Sequence, residues 1–311
     1  MEDIVSVRNL VKRYGSAIAL DYFNLQIAPG EVFGLLGPNG SGKTTAIHCI
    51  LQLLTYDKGQ ISLFGQPMSP TRYDLKRRIG VVPQNVAVFE ELTVRENIDY
   101  FCGLYVPDAR ERKPLVAEAI AFVGLEDYAQ ARPKKLSGGL LRRLNIACGI
   151  AHKPELVFFD EPTVAVDPQS RASILENIQA MNAAGSTVVY TSHYMEEVEG
   201  ICTRIMIMDK GRTLACGTNA ELKAIVAAGE KIVIEAQVPE AAVMAIGKLP
   251  HVTRVSYGDG KLEVACSNGE HNVAYVLAEL ARARIAPGRI WAEPPTLNDV
   301  FLEITGRELR D

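Results

Sequence analysis

The order of apolar and polar positions gives the chain two stretches of different grain. Residues 4–11 and 20–27 are strand-like, and Gly15 and the Pro29-Gly30 turn punctuate them. Residues 32–36 form a short apolar run, read as a strand, that leads into a glycine-rich loop and then a helix from 42 to about 54. From about 94 to 152 the pattern is mostly helical, with apolar residues at three- and four-residue spacing around 115–123. A buried-type strand follows over 156–160, then a helix over 168–182 that places Pro168 where a helix start tolerates it. A second buried strand over 186–191, a helix over 195–201 and a strand over 205–208 complete this stretch. Strands alternating with helices predict a parallel sheet covered on both faces.

The grain changes after Gly217-Thr218. An alanine-rich helix over 220–228 leads to strand 231–237, helix 239–248 and strand 252–257. The turn Gly258-Asp259-Gly260 precedes strand 262–266, helix 271–283 and strand 289–292. Asp-Gly between two strand-like runs is a strong hairpin signal. The order βαββαβ is that of a small ferredoxin-like α+β domain. Ile232, Ile234 and Val264 are expected in its core. Two domains result, 1–220 and 221–311, the second without a phosphate loop, metal-ligand spacing or paired acids beside a nucleophile.

Composition narrows the class. The 311 residues are 48% hydrophobic and 23% charged, the balance of a globular protein that needs no disulfide or metal staple. A net charge of −4 offers no footprint for nucleic acid, so none is expected as a partner. Cys49, Cys102, Cys148, Cys202, Cys216 and Cys266 form no C-x-x-C pair and read mostly as buried, reduced thiols. The acidic start Met1-Glu2-Asp3 lacks the layout of a signal peptide, and no run approaches the ~18 apolar residues of a membrane span. Any membrane-spanning part is expected in another chain.

The strongest local signal is Gly37-Pro38-Asn39-Gly40-Ser41-Gly42-Lys43-Thr44, a complete P-loop pattern, with Thr45 next in the opening helix. Its glycines let backbone N–H groups converge on phosphate oxygens, and the helix adds its positive end. Lys43 supplies charge to the β- and γ-phosphates, and Thr44 a hydroxyl for Mg²⁺. Asp160 and Glu161 end the apolar strand Leu156–Asp160, on the side of the sheet where ligands collect. Asp160 is expected to hold Mg²⁺ and Glu161 to polarise the attacking water. His193 ends the neighbouring strand in the same way and reads as a γ-phosphate contact. His48, His152, His251 and His271 have no such context and read as structural.

A further element singles out one kind of P-loop protein. Leu136-Ser137-Gly138-Gly139 stands directly before a helix, with Ser137 a good N-cap and two glycines leaving amides bare. One ATP needs only one such cradle. The economical arrangement is a head-to-tail dimer in which this second site grips the γ-phosphate held by the partner's P-loop.

Over roughly residues 1–220 the sequence resembles the ABC transporter ATP-binding proteins, with every diagnostic motif in order. The resemblance implies an α/β P-loop NTPase fold with a helical subdomain, and ATP and Mg²⁺ as ligands. It makes Tyr14 the aromatic that stacks on adenine, where the residue alone reads as core. Gln84 becomes the glutamine that senses Mg²⁺ and the membrane subunit, and Ser137, Gly138 and Gly139 the signature. Asp160 and Glu161 match the second Walker motif, Asp167 the D-loop and His193 the switch histidine. Two positions depart from the pattern, Leu140 where a polar residue is usual and Val166 in the D-loop, both at the expected dimer interface.

Ser192-His193-Tyr194-Met195-Glu196-Glu197 and Pro295-Thr296-Leu297-Asn298-Asp299-Val300-Phe301-Leu302 are similar to the drug- and polyketide-efflux group that pairs with ABC-2-type permeases. That implies ATP-driven export, of a hydrophobic or lipid-like substrate, by a homodimer on the cytoplasmic face of the cell membrane. An ABC ATPase of translation or DNA repair is the alternative. Such chains usually carry two nucleotide domains or a long coiled coil, and neither is found here.

Overall fold

A computed structural model describes residues 2–225, 228–267, 272–293 and 295–305, so His271 lies outside the described residues. The chain divides between Thr218 and Asn219 into two compact units. In the first, β1 (Val5–Tyr14) and β2 (Ala17–Ile27) make a hairpin. Then come β3 (Val32–Leu36), α1 (Lys43–Ile50), β4 (Lys58–Leu63), β5 (Gln66–Pro67), α2 (Tyr73–Lys76) and β6 (Ile79–Val82). The helical region holds α3 (Val94–Gly103), α4 (Ala109–Phe122) and α5 (Gly138–Ile150). The unit closes with β7 (Leu156–Asp160), α6 (Pro168–Ala183), β8 (Thr187–Ser192), α7 (Met195–Ile201), β9 (Arg204–Asp209) and β10 (Arg212–Gly217).

These strands make two sheets. One is antiparallel, ordered β2-β1-β4-β5, and the other has six strands, ordered β10-β9-β3-β8-β7-β6. The six-stranded sheet is parallel except for β10, which pairs antiparallel with β9 at one edge. Every residue of β3, β7 and β8 is buried, because these central strands are covered on both faces and are apolar almost throughout. Helix α1 lies within one apolar cluster that joins the sheets. Leu10 and Phe23 of the antiparallel sheet, Ile47 and Ile50 of α1, and Leu35 and Phe158 of the parallel sheet all belong to it. The P-loop that precedes α1 is thereby fixed from both sides.

α1 stops at Ile50, short of the expected 54, because Gln52 turns into the left-handed region and Leu53 N–H bonds back to His48 O. Strands β4, β5, β6 and β10 were not anticipated.

The second unit runs α8 (Asn219–Lys223), β11 (Ala228–Glu235), α9 (Glu240–Ile246), β12 (Val252–Gly258), β13 (Lys261–Ser267), α10 (Asn272–Arg282), β14 (Ile290–Glu293) and α11 (Leu297–Thr305). Its sheet is antiparallel and ordered β12-β13-β11-β14, the ferredoxin-like arrangement. Asp259 and Gly260 both have positive φ, 50° and 73°, as a two-residue hairpin turn of this kind requires. Ile232, Ile234 and Val264 pack with Ile246 of α9 and Val276 and Leu280 of α10, so all three are core. Cys49, Cys102, Cys148, Cys202 and Cys266 are buried, and Cys216 is exposed. Among the described residues no helix is long and apolar enough to cross a membrane.

Candidate active site

Strands β3, β7 and β8 end level with one another, with Leu36 paired to Ser192 and Asp160 to Thr191. The residues that follow those ends are Gly37, Glu161 and His193, so the sheet's register alone brings three expected site residues to one rim.

At Gly37 a Cβ would stand 2.3 Å from the Met208 carbonyl oxygen, which leaves glycine as the residue that fits. Gly42 has φ 107°, and a Cβ there would meet Ala19 O at 2.7 Å. Pro38, Asn39 and Gly40 form the outer part of the loop, and Gly42 caps α1 without any side-chain bond to its first amides. Those amides are the donors an anion takes at a helix start. Ser41 is buried and its hydroxyl has no protein partner. A buried hydroxyl of that kind, among glycines too close-set for side chains, fits a phosphate group. Thr44 and Thr45, both part-buried, follow in the first turn of α1.

Lys43 is only 4% exposed. Its ammonium donates to Gly37 O at 2.7 Å and Pro38 O at 3.2 Å, and pairs with Glu161 Oε1 at 3.2 Å. The second carboxylate oxygen of Glu161 lies 3.3 Å from Gln84 Nε2 and 3.2 Å from His193 Nδ1. Residues separated by more than a hundred positions thus meet on one carboxylate. Glu161 takes φ 46°, a left-handed conformation that a residue with a side chain adopts at a cost. Its N–H donates to Thr191 Oγ1 at 2.9 Å, and that hydroxyl donates to Asp160 Oδ1 at 2.7 Å. Thr191 was not singled out in the sequence, where it reads as one more residue of a buried strand.

Gln84 is held from behind by α5. Arg142 Nη1 donates to Gln84 O at 2.7 Å and to Pro83 O at 3.3 Å. Asn145 donates to Pro83 O at 3.1 Å and accepts from Ala87 N–H at 3.0 Å. Both side chains are buried, and burial pulls the Arg142 pKa down. A polar pair at i and i+3, Arg142 and Asn145, on a mostly apolar helix was the available signal, and it was missed.

Ser137 caps α5 by accepting from Leu140 N–H at 3.4 Å. Gly138 faces open space, while a Cβ on Gly139 would come within 2.3 Å of Ser170 Oγ and 3.1 Å of Asp167 Oδ2. Asp167 caps α6 by accepting from Ser170 N–H at 2.9 Å, and that bond holds its carboxyl below the usual range. Ser137, Gly139 and Asp167 therefore form a second group. No hydrogen bond or ion pair among the described residues joins it to residues 37–45. Tyr14 stands apart at the end of β1, half exposed, with the Lys12 ammonium 5.0 Å from its ring centre. It is not a core residue.

Residues 20–164 match the family described as ABC transporter. The linearmycin resistance ATP-binding protein LnrL of Bacillus subtilis is 39% identical over 99% of this chain and 100% of its own length. The Nod factor export ATP-binding protein I of Burkholderia orbicola is 35% identical over 99% of this chain and 98% of its own. Among solved structures, cbiO1 from Clostridium perfringens, part of an ABC transporter complex, superposes with a TM-score of 0.66 at 26% identity. It covers 72% of this chain and 92% of that one. A dimeric ATP-binding cassette in a post-hydrolysis state bound to ADP and Pi gives a TM-score of 0.63 at 27% identity. The match takes in 69% of this chain and 98% of the cassette. None of these relatives supports action in translation or DNA repair. A phosphate cradle, a carboxylate that gathers its lysine with a glutamine and a histidine, and relatives matched along their whole length lead to one conclusion: the chain belongs to the ABC transporter family, as an ATP-binding, ATP-hydrolysing subunit of a transporter.

Proposed function

We propose that this chain hydrolyses ATP with Glu161 as the base and His193, Gln84 and Lys43 as its attendants. The observation that carries this reading is the meeting of all three on the Glu161 carboxylate. Gly37, Pro38, Asn39, Gly40, Ser41, Gly42, Lys43, Thr44 and Thr45 bind the phosphates, and Tyr14 offers its exposed ring to the adenine. Glu161 orients the attacking water and takes its proton, while His193 lies where the γ-phosphate is bonded. Thr44, Asp160 and Gln84 hold Mg²⁺, which when bound spreads the charge of the β- and γ-phosphates. Their donors are oxygens, and no cluster of three His, Cys, Asp or Glu suited to a metal occurs among the described residues. Oxygen donors of this kind suit a hard divalent cation that keeps phosphate and water among its ligands.

The active unit is a head-to-tail homodimer in which Ser137, Gly138, Gly139 and Asp167 complete the partner's site. The chain serves an ABC-2-type permease from the cytoplasmic face of the membrane. Phe89, in the segment after Gln84, and Tyr100, whose ring centre lies 4.9 Å from that of Phe89, support docking there, because both leave apolar surface exposed. Residues 1–220 act as the nucleotide-binding domain and residues 221–311 as an accessory domain that tunes dimerisation or docking. The resistance and export roles named for the relatives favour export, and a hydrophobic or lipid-like cargo is what the resemblance to the drug- and polyketide-efflux group implies.

The decisive experiment is Glu161→Gln. Phosphate release is expected to fall by about a thousandfold, with ATP affinity retained and an ATP-bound dimer accumulating. Turnover at the unmodified rate in this variant refutes the assignment.

A further inference from the structure

Glu197, on α7, is only 4% exposed and takes no part in the scheme above. Its Oε2 accepts from Thr163 Oγ1 at 2.9 Å, Tyr190 Oη at 2.8 Å and Ser192 Oγ at 2.9 Å. Its other oxygen faces Arg171 Nε at 3.3 Å. Burial, followed by the nearby Glu197 charge, pushes the Tyr190 phenol well up, so it stays a donor.

The partners come from separate parts of the site. Thr163 lies two residues after Glu161, in a loop where Glu161 and Ala165 both have positive φ. Ser192 immediately precedes His193, and its hydroxyl also accepts from Tyr194 N–H at 2.9 Å. Arg171 stands one turn into α6, beyond Asp167, with its guanidinium 4.7 Å from the Tyr194 ring centre. The Tyr194 ring in turn lies 4.1 Å from that of His193. An apolar side chain on α7 would fill this space without the desolvation penalty of a carboxylate. What such a side chain lacks is a means of fixing a loop, a strand end and a helix in one register.

We propose that Glu197 is a positioning residue for hydrolysis, holding the Glu161 loop, the His193 strand end and the Asp167 helix together so that Glu161 and His193 keep their contact. This rests on reading Glu161 and His193 as the hydrolytic pair. Arg171 and Tyr194 carry the constraint the last step, to the imidazole.

The test compares the full chain with Glu197→Gln, Arg171→Met and the double variant. Each single variant is expected to lower kcat by about 10- to 100-fold, with the MgATP dissociation constant changed by less than about twofold. The double variant is expected to be no worse than the weaker single, since the residues act as one unit. The imidazole ¹⁵N resonances of His193 are expected to shift in both singles, and Glu197→Asp to recover part of kcat. Unchanged kcat with unmoved resonances in folded Glu197→Gln overturns the proposal, as do additive losses in the double variant. Should Glu197→Gln not fold, Arg171→Met, at a part-exposed residue, carries the same measurements. Normal turnover in Glu161→Gln would instead remove the reading beneath the proposal. A dead Glu161→Gln beside a fully active Glu197→Gln removes the proposal alone.

Discussion

A single hydroxyl, that of Thr191, stands between the two acids of the site, donating to Asp160 and accepting from the Glu161 amide. Its position follows from strand register, since Thr191 pairs with Asp160 across β7 and β8. Another residue outside the expected site, His152, makes its contribution measurable through pH. Its ring stacks on Tyr105 at 3.8 Å between centroids, its Nε2 lies 3.1 Å from Ile79 O, and burial pushes its pKa down to about 4. An unfolded histidine titrates near 6.5. The unfolded chain therefore takes up the proton first as pH falls, and stability drops between about 6.5 and 4 while staying flat above. The urea midpoint is expected to be lower at pH 5 than at pH 7, and His152→Phe to remove part of that difference. Equal slopes in both proteins would contradict it. Lys43 and Glu161 were legible because their motifs are local, His193 through its place at a neighbouring strand end, and Gln84 through the family resemblance alone. Thr191, Arg142, Asn145 and Glu197 were not, because a polar residue inside an apolar strand or on a helix shows its purpose only through its partners.

The elements that sequence periodicity located best, β3, β7 and α7, have the bounds expected of them. The two strands are buried from end to end, which gives them an unbroken apolar run to read. β4 and β10 belong to sheets but read Lys58-Gly-Gln-Ile-Ser-Leu63 and Arg212-Thr-Leu-Ala-Cys-Gly217, with exposed or half-exposed residues through most of their length. Strands that face water on one side or lie at an edge carry a weaker pattern, and β5 has only two residues. Loops are ordered from within elements too. Asn97 of α3 is fully buried, accepts from Phe89 N–H at 2.8 Å and donates to Phe89 O, Leu92 O and Thr93 O at 3.0, 3.2 and 3.0 Å. Asn97→Leu keeps much of the volume but leaves those backbone groups unpaired, which is expected to cost about 1–3 kcal/mol. Urea unfolding gives the number, and a loss below 0.5 kcal/mol or so would show that the loop bonds to water instead. ATP affinity is expected to stay as it was, since the Asn97 side chain bonds only to the backbone of Phe89, Leu92 and Thr93 and to none of residues 37–45.

For the whole molecule the central expectation is shared sites. Mixing a Lys43→Ala chain with a Ser137→Arg chain places both lesions in one composite site and leaves the other intact. Some ATPase activity is therefore expected to return on mixing, when neither variant alone has any. If heterodimers form and none returns, independent composite sites are ruled out. The close packing of Gly139 on Ser170 and Asp167 has a bearing on which chains can pair. Within one chain Gly139 packs directly against Asp167 and Ser170, so in the proposed dimer a partner is expected to meet both segments together, as one patch. Leu140 and Val166, where this chain departs from its family's usual residues, flank that patch. In the proposed dimer, a foreign cassette with a different residue at either place is expected to fit the patch less well, because the two segments touch and a shift of one bears on the other. In a cell that makes several such ATPases, the subunit of the homodimer proposed above is then expected to favour pairing with its own copy, and the yield of heterodimers on mixing with another such subunit would check it.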